Sequence, residues 1–239
     1  MIRAIFLDRD GVIGENRTDH VKSWEEFRFL PGALDALRWL RLAGFRTFVV
    51  TNQAIVNRGI ASAQMVEEIH NRMSLCVAWH GGRIDDIRYC PHDNVEQCQC
   101  RKPQPGMLRQ LAERWQVDLS RSYMVGDAWT DIAAGQAVNC RSIMVRTGRG
   151  AEQFNLPEFR QYPADHIAVD LAAAVLWLCQ EEGITPLTNS ASLLQRPAIP
   201  QWSTATPSRP SCRNAAYVEK PRERRDHSGF QSISSRASS

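Results

Sequence analysis

The sequence predicts an α/β fold: a Rossmann-like, doubly wound, mostly parallel sheet with helices on both faces, no large cap domain, and one small metal-bound loop. Three observations carry that expectation. Four apolar, largely β-branched runs recur along the chain, at residues 2–7, 47–50, 122–125 and 142–145. Segments of helical periodicity separate them, at 33–42, 63–79, 106–115 and 130–137. Three of the runs end abruptly in polar residues, as strands do when their carboxyl ends open on a ligand crevice. Alternation of this kind implies parallel strands joined by right-handed crossovers.

Each element has its own local reason. The first run feeds Asp8-Arg9-Asp10-Gly11. Residues two apart on a strand point the same way, so Asp8 and Asp10 leave its end as a pair of like charges. Such a pair is costly unless a cation and proton chemistry require it. Pro31 and Pro105 fall where the first turns of helices 33–42 and 106–115 begin. The second run leads into Thr51-Asn52-Gln53, and the third into Gly126-Asp127. Asp131 stands one helical turn beyond Asp127, on the same face. A last amphipathic helix at 170–179 closes the domain. Only 35 positions separate Asp10 from Phe45. That length accommodates one crossover helix and a flap over 14–29, not a separate cap.

The chain has 239 residues and a net charge of +3, enough for one domain with a tail. Residues 1–183 read as the domain and 184–239 as a disordered basic tail, because prolines, serines and arginines replace hydrophobic periodicity there. From Pro186 onward eight Lys/Arg face three acids, so the remainder is slightly acidic. That balance argues against a nucleic-acid-binding core. No apolar stretch is long enough for a membrane span, and the first residues read as a buried strand rather than a signal peptide. Seven cysteines, an odd number, point to a reducing, cytoplasmic setting in which cysteine means packing, metal or catalysis.

The chemistry-bearing residues form two constellations. Asp8, Asp10, Thr51, Lys102, Asp127 and Asp131 would face one crevice from the strand ends and the loop before helix 106–115. Carboxylates, a hydroxyl and a lysine gathered this way suit a phosphate held beside a magnesium ion. Ahead of Lys102, Cys90-Pro91-His92 and Cys98-Gln99-Cys100 offer three thiolates and an imidazole. A disulfide or free thiols are the alternatives, but this donor set favours a closed, structural zinc site that orders a loop poor in apolar residues and fixes Arg101 and Lys102 at the crevice mouth. Cys76, Cys140 and Cys179 lie in apolar patterns and read as core. His20, His70, His80, His166 and His227 have no sequence partner and read as surface or satisfied core residues.

The ordered Asp-x-Asp, Thr, Lys and Gly-Asp-x-x-x-Asp motifs resemble the haloacid dehalogenase superfamily of phosphohydrolases over residues 2–148. The resemblance implies Asp8 as nucleophile through an aspartyl-phosphate, and Asp10 as general acid and then base. It implies magnesium held by Asp8, Asp127 and the backbone carbonyl of Asp10, with Asp131 beside them. Thr51, Lys102 and the Asn52 backbone N–H would bind phosphoryl oxygens. The zinc loop is similar to the branch that holds the heptose-1,7-bisphosphate 7-phosphatases, which serve nucleotide-activated heptose synthesis, and the histidinol-phosphate phosphatases. Arg58-Gly59, Phe29-Leu30-Pro31-Gly32 and Arg101 to Met107 lean to the heptose type; Thr130-Asp131 resembles the histidinol type. Asn16, Arg17, Asn52, Gln53 and Arg101 are the expected substrate contacts, with Arg101 on a far phosphate, and the partner is a small phosphorylated sugar bound by a monomer. A histidinol-phosphate phosphatase, a polynucleotide 3′-phosphatase aided by the tail, and a non-catalytic zinc-bearing module stay open at this point.

Overall fold

Strand β1 (Ala4–Leu7) is fully buried and fixes the centre of the sheet. It is followed by α1 (Ala33–Leu42), β2 (Arg46–Asn52), α2 (Ala63–Trp79), β3 (Asp86–Cys90), α3 (Gly106–Trp115), β4 (Tyr123–Gly126), α4 (Trp129–Gln136), β5 (Arg141–Val145), α5 (Gly150–Gln153), α6 (Pro157–Gln161), β6 (His166–Ala168) and α7 (Leu171–Glu181). This computed structural model describes residues 2–184; the tail expected over 184–239 lies, beyond Ile184, outside the described residues. The strands pair in the order β3-β2-β1-β4-β5-β6, and every pairing is parallel. This is the doubly wound order, whose direction of winding reverses between β1 and β4 and opens a crevice at their carboxyl ends.

The period-two alternation of β1 sorts the core into two layers. Ile5 and Leu7 join Leu37 and Leu40 of α1, Ile69 and Met73 of α2, and Val175 and Leu178 of α7. Ala4 and Phe6 face the opposite layer, with Phe48, Val50, Met107, Leu108 and Leu111. Each of these side chains larger than alanine contributes roughly 1.5–3 kcal/mol by burial, so the sheet that carries the site is anchored from both faces. The flap over 14–29 is held down by Trp24, Phe27 and Phe29, whose rings meet at 5.0–6.5 Å. It packs into the first layer rather than forming a cap. Among the described residues no helix is long and apolar enough to cross a membrane.

Several boundaries differ from the sequence expectation. The sheet has six strands, not four. β3 alternates charged and apolar residues, is only partly buried except at Cys90, and sits at an edge; an edge strand needs no continuous apolar run. β6 spans only three residues at the other edge. Ile2 lies outside β1 and pairs only through an isolated bridge to Val117. Pro105 is the N-cap of α3, one place outside its first turn, and Pro31 precedes the Gly32 N-cap of α1, two places outside. α7 begins after Asp170, whose side chain accepts a hydrogen bond from the Ala173 N–H at 2.8 Å, and it continues to Glu181.

Candidate active site

The carboxyl ends of β1, β2 and β4 meet at the crevice. The end of β1 supplies Asp8, which is 5 % exposed. Its Oδ1 accepts the Arg9 N–H at 2.7 Å and lies 3.1 Å from Lys102 Nζ. Lys102 enters from the loop before α3. Its ammonium is 2.6 Å from Asp131 Oδ1 and donates to the Val50 carbonyl at 2.7 Å. The Asn52 amide brackets the Lys102 backbone, donating to its carbonyl and accepting from its N–H, both at 3.0 Å. β4 ends on Gly126, placing Asp127 beside Asp8, and the first turn of α4 carries Asp131. Asp131 Oδ2 caps that helix by accepting the Ala128 N–H at 3.0 Å.

Asp8, Asp127 and Asp131 are all buried, and they offer oxygens within 4.8 Å of one another. Asp131 spends one oxygen on Lys102 and the other on the cap. Asp127 accepts the Arg149 N–H at 2.8 Å with Oδ2, while Oδ1 is buried without a hydrogen bond, 3.6 Å from an Arg149 η nitrogen. A buried carboxylate oxygen that accepts no hydrogen bond is costly, and beside Asp8 it suits a hard divalent cation with oxygen ligands. Backbone closes tightly around it. Gly11 (φ 86°) and Gly148 (φ 58°) stand in the left-handed region, and a Cβ on either would overlap the Asp127 carboxylate. Thr147 Oγ1 donates to the Gly11 carbonyl at 2.6 Å and joins the two turns.

The electrostatics follow from this crowding. Burial, against the pull of Lys102 and with the repulsion of Asp131 and Asp10, raises Asp8 from 3.8 to about 6. Burial and the charges of Asp8 and Asp131 raise Asp127 from 3.8 to about 7. A carboxyl raised in the folded state adds stability below its unfolded value, and that stability is lost as pH rises through the folded one. The metal-free protein is therefore expected to lose stability between pH 4 and 7 on account of these two groups. Magnesium, which relieves the repulsion, is expected to raise the melting temperature more at pH 7.5 than at pH 5.5. Scanning fluorimetry with and without magnesium measures this; equal shifts at both pH values count against cation binding by Asp8 and Asp127.

Asp10 has a separate environment. Arg9 is fully buried and grips Asp10 with Nε to Oδ1 at 3.0 Å and an η nitrogen to Oδ2 at 2.7 Å. Gln53 Nε2 donates to Asp10 Oδ2 and to Thr51 Oγ1, both at 2.9 Å. Burial opposes the charged form of Asp10, but the Arg9 charge and the Arg9 and Gln53 hydrogen bonds outweigh it and hold the carboxyl below its ordinary range.

The expected zinc donors converge. Cys90 Sγ lies 3.5 Å from both His92 Nδ1 and Cys98 Sγ, and 3.3 Å from Cys100 Sγ. Cys100 Sγ is also 3.3 Å from His92 Nδ1 and from Cys98 Sγ. Four N/S donors so close to one another fit a single tetrahedral ion and leave no position open for water. Cys76, Cys140 and Cys179 are buried in the core.

A cavity of about 1140 Å³ opens over the strand ends, with Asp8, Asp10, Thr51 and Lys102 in its floor. The expected substrate contacts all line this cavity. Asn16, Arg17 and Arg101 line the wall, although Arg17 already pairs with Asp19 at 3.0 Å and Arg101 donates to the His92 carbonyl at 3.1 Å. Asn52 and Gln53 line the same cavity, and their side-chain amides also bond within the site, Asn52 to the Lys102 backbone and Gln53 to Asp10 and Thr51. Three neighbours of the site were not singled out from the sequence: Arg9, His70, whose Nε2 lies 3.2 Å from an Arg9 η nitrogen, and Arg149 on the far wall. Arg9 stood inside the Asp-x-Asp motif and carried a signal, a lone cation between two carboxylates. His70 and Arg149 carried none, since their proximity comes from the tertiary fold.

A family model described as HAD-hydrolase-like matches residues 99–174. The chain is 40 % identical over 153 residues to the D-glycero-β-D-manno-heptose-1,7-bisphosphate 7-phosphatase of Pseudomonas aeruginosa, covering 64 % of this chain and 86 % of that protein. It is similar in structure to the D,D-heptose 1,7-bisphosphate phosphatase of B. bronchiseptica, crystallised with magnesium and phosphate. There the TM-score is 0.70 at 37 % identity, over 75 % of this chain and 99 % of the other. A heptose 1,7-bisphosphate phosphatase from Burkholderia thailandensis matches with a TM-score of 0.57 at 30 % identity, over 74 % and 97 %.

Proposed function

The chain belongs to the haloacid dehalogenase-like hydrolases, in the family of the heptose-1,7-bisphosphate 7-phosphatases, and we propose that it removes the 7-phosphate of D-glycero-β-D-manno-heptose 1,7-bisphosphate on the route to nucleotide-activated heptose. It is a phosphoric monoester hydrolase. The observation that carries the substrate assignment is the join between site and family: Asp8, Asp127 and Lys102 share one strand-end crevice beside the Cys/His loop, in a chain whose relatives of this name match over most of their own length. The name of the Pseudomonas aeruginosa relative supports the β anomer.

In the proposed reaction an Asp8 oxygen attacks phosphorus and the bond from phosphorus to the sugar oxygen breaks. Asp10 takes up a proton that the phosphate monoanion brings into the site and passes it to that departing oxygen. Water then attacks phosphorus in the aspartyl-phosphate with Asp10 taking its proton, and the bond to Asp8 breaks to give inorganic phosphate. Lys102, the Thr51 hydroxyl and the Asn52 backbone N–H neutralise charge that spreads over the equatorial oxygens. Asp8, Asp127 and the Asp10 backbone carbonyl would hold magnesium, which when bound supplies positive charge beside the transferring group; Asp131 orients Lys102. Asn16 and Arg17 would meet sugar hydroxyls and Arg101 the far phosphate, for which a guanidinium fork is suited. Residues 1–183 would be the catalytic unit and 184–239 an appended basic segment, since the matches to relatives leave about a quarter or more of the chain uncovered. Because every proposed ligand comes from one chain, a monomer suffices. The unbridged Cys/His donor set is suited to a reducing cytoplasm.

Phosphate-release assays decide the substrate. With magnesium present, kcat/KM for the β-heptose bisphosphate is expected to exceed that for the α anomer and to exceed that for histidinol phosphate by at least about 10-fold, a difference of roughly 1.4 kcal/mol in transition-state binding. A preference for histidinol phosphate overturns the assignment, and oligonucleotide 3′-phosphates as best substrates would overturn it as well.

A further inference from the structure

We propose that Arg9 and His70 are a buried positioning pair that orients the Asp10 carboxylate for proton transfer to the sugar oxygen. The proposal rests on the role given to Asp10 above. Arg9 is 0 % exposed, and burying a guanidinium costs several kcal/mol unless its donors are used. Here they are. Two grip the Asp10 oxygens, at 3.0 and 2.7 Å; one meets Gln53 Oε1 at 3.0 Å; one points at His70 Nε2, 3.2 Å away. A residue needed only to fill space at the end of β1 would be aliphatic.

Counting lone pairs shows what the arrangement achieves. An ionised carboxylate offers about four acceptor positions. Arg9 takes one on Oδ1 and one on Oδ2, and Gln53 takes the second on Oδ2. The remaining position lies on Oδ1. Arg9 and Gln53 thus fix the carboxylate plane and choose which oxygen carries the proton to the leaving group. General acid catalysis requires that oxygen within hydrogen-bond reach of its target, and a misplacement of about 1 Å costs on the order of 10²-fold.

His70 holds the other end of Arg9. It projects from α2, is 5 % exposed, and lies edge-on to Tyr89 at 5.6 Å. Burial first, and then the Arg9 charge, drives it down to about 3, so the ring is neutral and Nε2 accepts. A neutral acceptor matters. A carboxylate at this place would compete with Asp10 for the guanidinium, whereas an imidazole fixes Arg9 and leaves its charge directed at Asp10.

The test is the dependence of kcat/KM on leaving group, which reports only steps through the first phosphoryl transfer. The esters are p-nitrophenyl phosphate, phenyl phosphate and the heptose bisphosphate, in order of increasing need for a proton. Arg9→Met and His70→Leu are expected to lower kcat/KM for the sugar phosphate at least 10-fold and that for p-nitrophenyl phosphate no more than about twofold. His70→Gln, which keeps a neutral acceptor, is expected to restore most of the loss. Equal losses on all three esters, or no loss, overturn the proposal, because a purely structural role would not discriminate leaving groups. If Arg9→Met does not fold, the two His70 variants decide alone. Asp10→Asn separates the two levels. A flat response there refutes the acid role itself; a graded response there with flat Arg9 and His70 variants refutes only the positioning pair.

Discussion

Asp8→Asn is expected to reduce phosphate release by on the order of 10⁴-fold or more, the scale on which loss of a nucleophile is felt, while raising the melting temperature of the metal-free protein. The two halves come from one cause. Asparagine has the shape of aspartate and keeps an oxygen to accept the Arg9 N–H and the Lys102 ammonium, so packing at the end of β1 is preserved. It removes one of three buried carboxylates crowded within 4.8 Å, and with it the repulsion that helps raise Asp8 to about 6 and Asp127 to about 7. A neutral amide does not attack phosphorus. Loss of activity with a gain in stability cannot be ascribed to unfolding, so the pair of results isolates the chemistry. The magnesium-induced rise in melting temperature should shrink in the same variant, since a ligand is gone. Phosphate release and scanning fluorimetry on the one variant check all three. Retention of more than about one per cent of activity would exclude Asp8 as the group that takes the phosphoryl.

What could be read ahead of the structure was whatever sits where local pattern and global fold agree. β1, β2, β4 and β5 are central strands covered by helices on both faces, and such strands must be continuously apolar; that is why their runs stood out and why the polar residues at their ends could be assigned to one crevice. β3 and β6 escaped notice because an edge strand is relieved of that requirement: Arg88 and Asp86 are as acceptable there as Ile87. The donor loop was legible because metal coordination demands residue types at short spacing. The inward turn of Gln53 was not, because it depends on Asp10 and Thr51 being 2.9 Å away on either side, a fact of tertiary structure. His70 illustrates the same limit. On α2 it follows helical spacing like any core residue, and only the packing of α2 against the sheet makes it the neighbour of Arg9.

Removing the metal from the Cys90, His92, Cys98 and Cys100 cluster, by chelation or by Cys98→Ser, is expected to lower the melting temperature by about 6–12 °C and to slow phosphate release about 10-fold even with saturating magnesium. The middle of the loop closed by these ligands buries little apolar surface of its own. Its 3₁₀ turn at Asn94–Glu96 buries no residue, and Val95 is 87 % exposed. The Arg58–Asp93 pair, at 2.7 and 2.9 Å, ties the loop to the turn after β2, but an exposed ion pair is worth no more than about 1 kcal/mol. A cross-link that closes a loop of this size is worth about 3 kcal/mol, and in a domain of this size each kcal/mol moves the midpoint by about 2–4 °C. The effect on turnover is the smaller because Lys102 is also held by the Asn52 bracket and by its ammonium contacts to Val50 and Asp131. What loosens is the approach to Lys102: Cys100 stands two residues before it, and Cys90 ends the strand that registers with Asn52. A displacement of a few tenths of an ångström at the ammonium then costs less than the 10²-fold of a full ångström. Scanning fluorimetry, a colorimetric zinc-release assay and phosphate release on the same sample measure the three quantities together. If zinc is released and neither the midpoint nor the rate moves, packing rather than metal orders this loop; if the rate falls while the midpoint holds, the ion acts on Lys102 without carrying the fold.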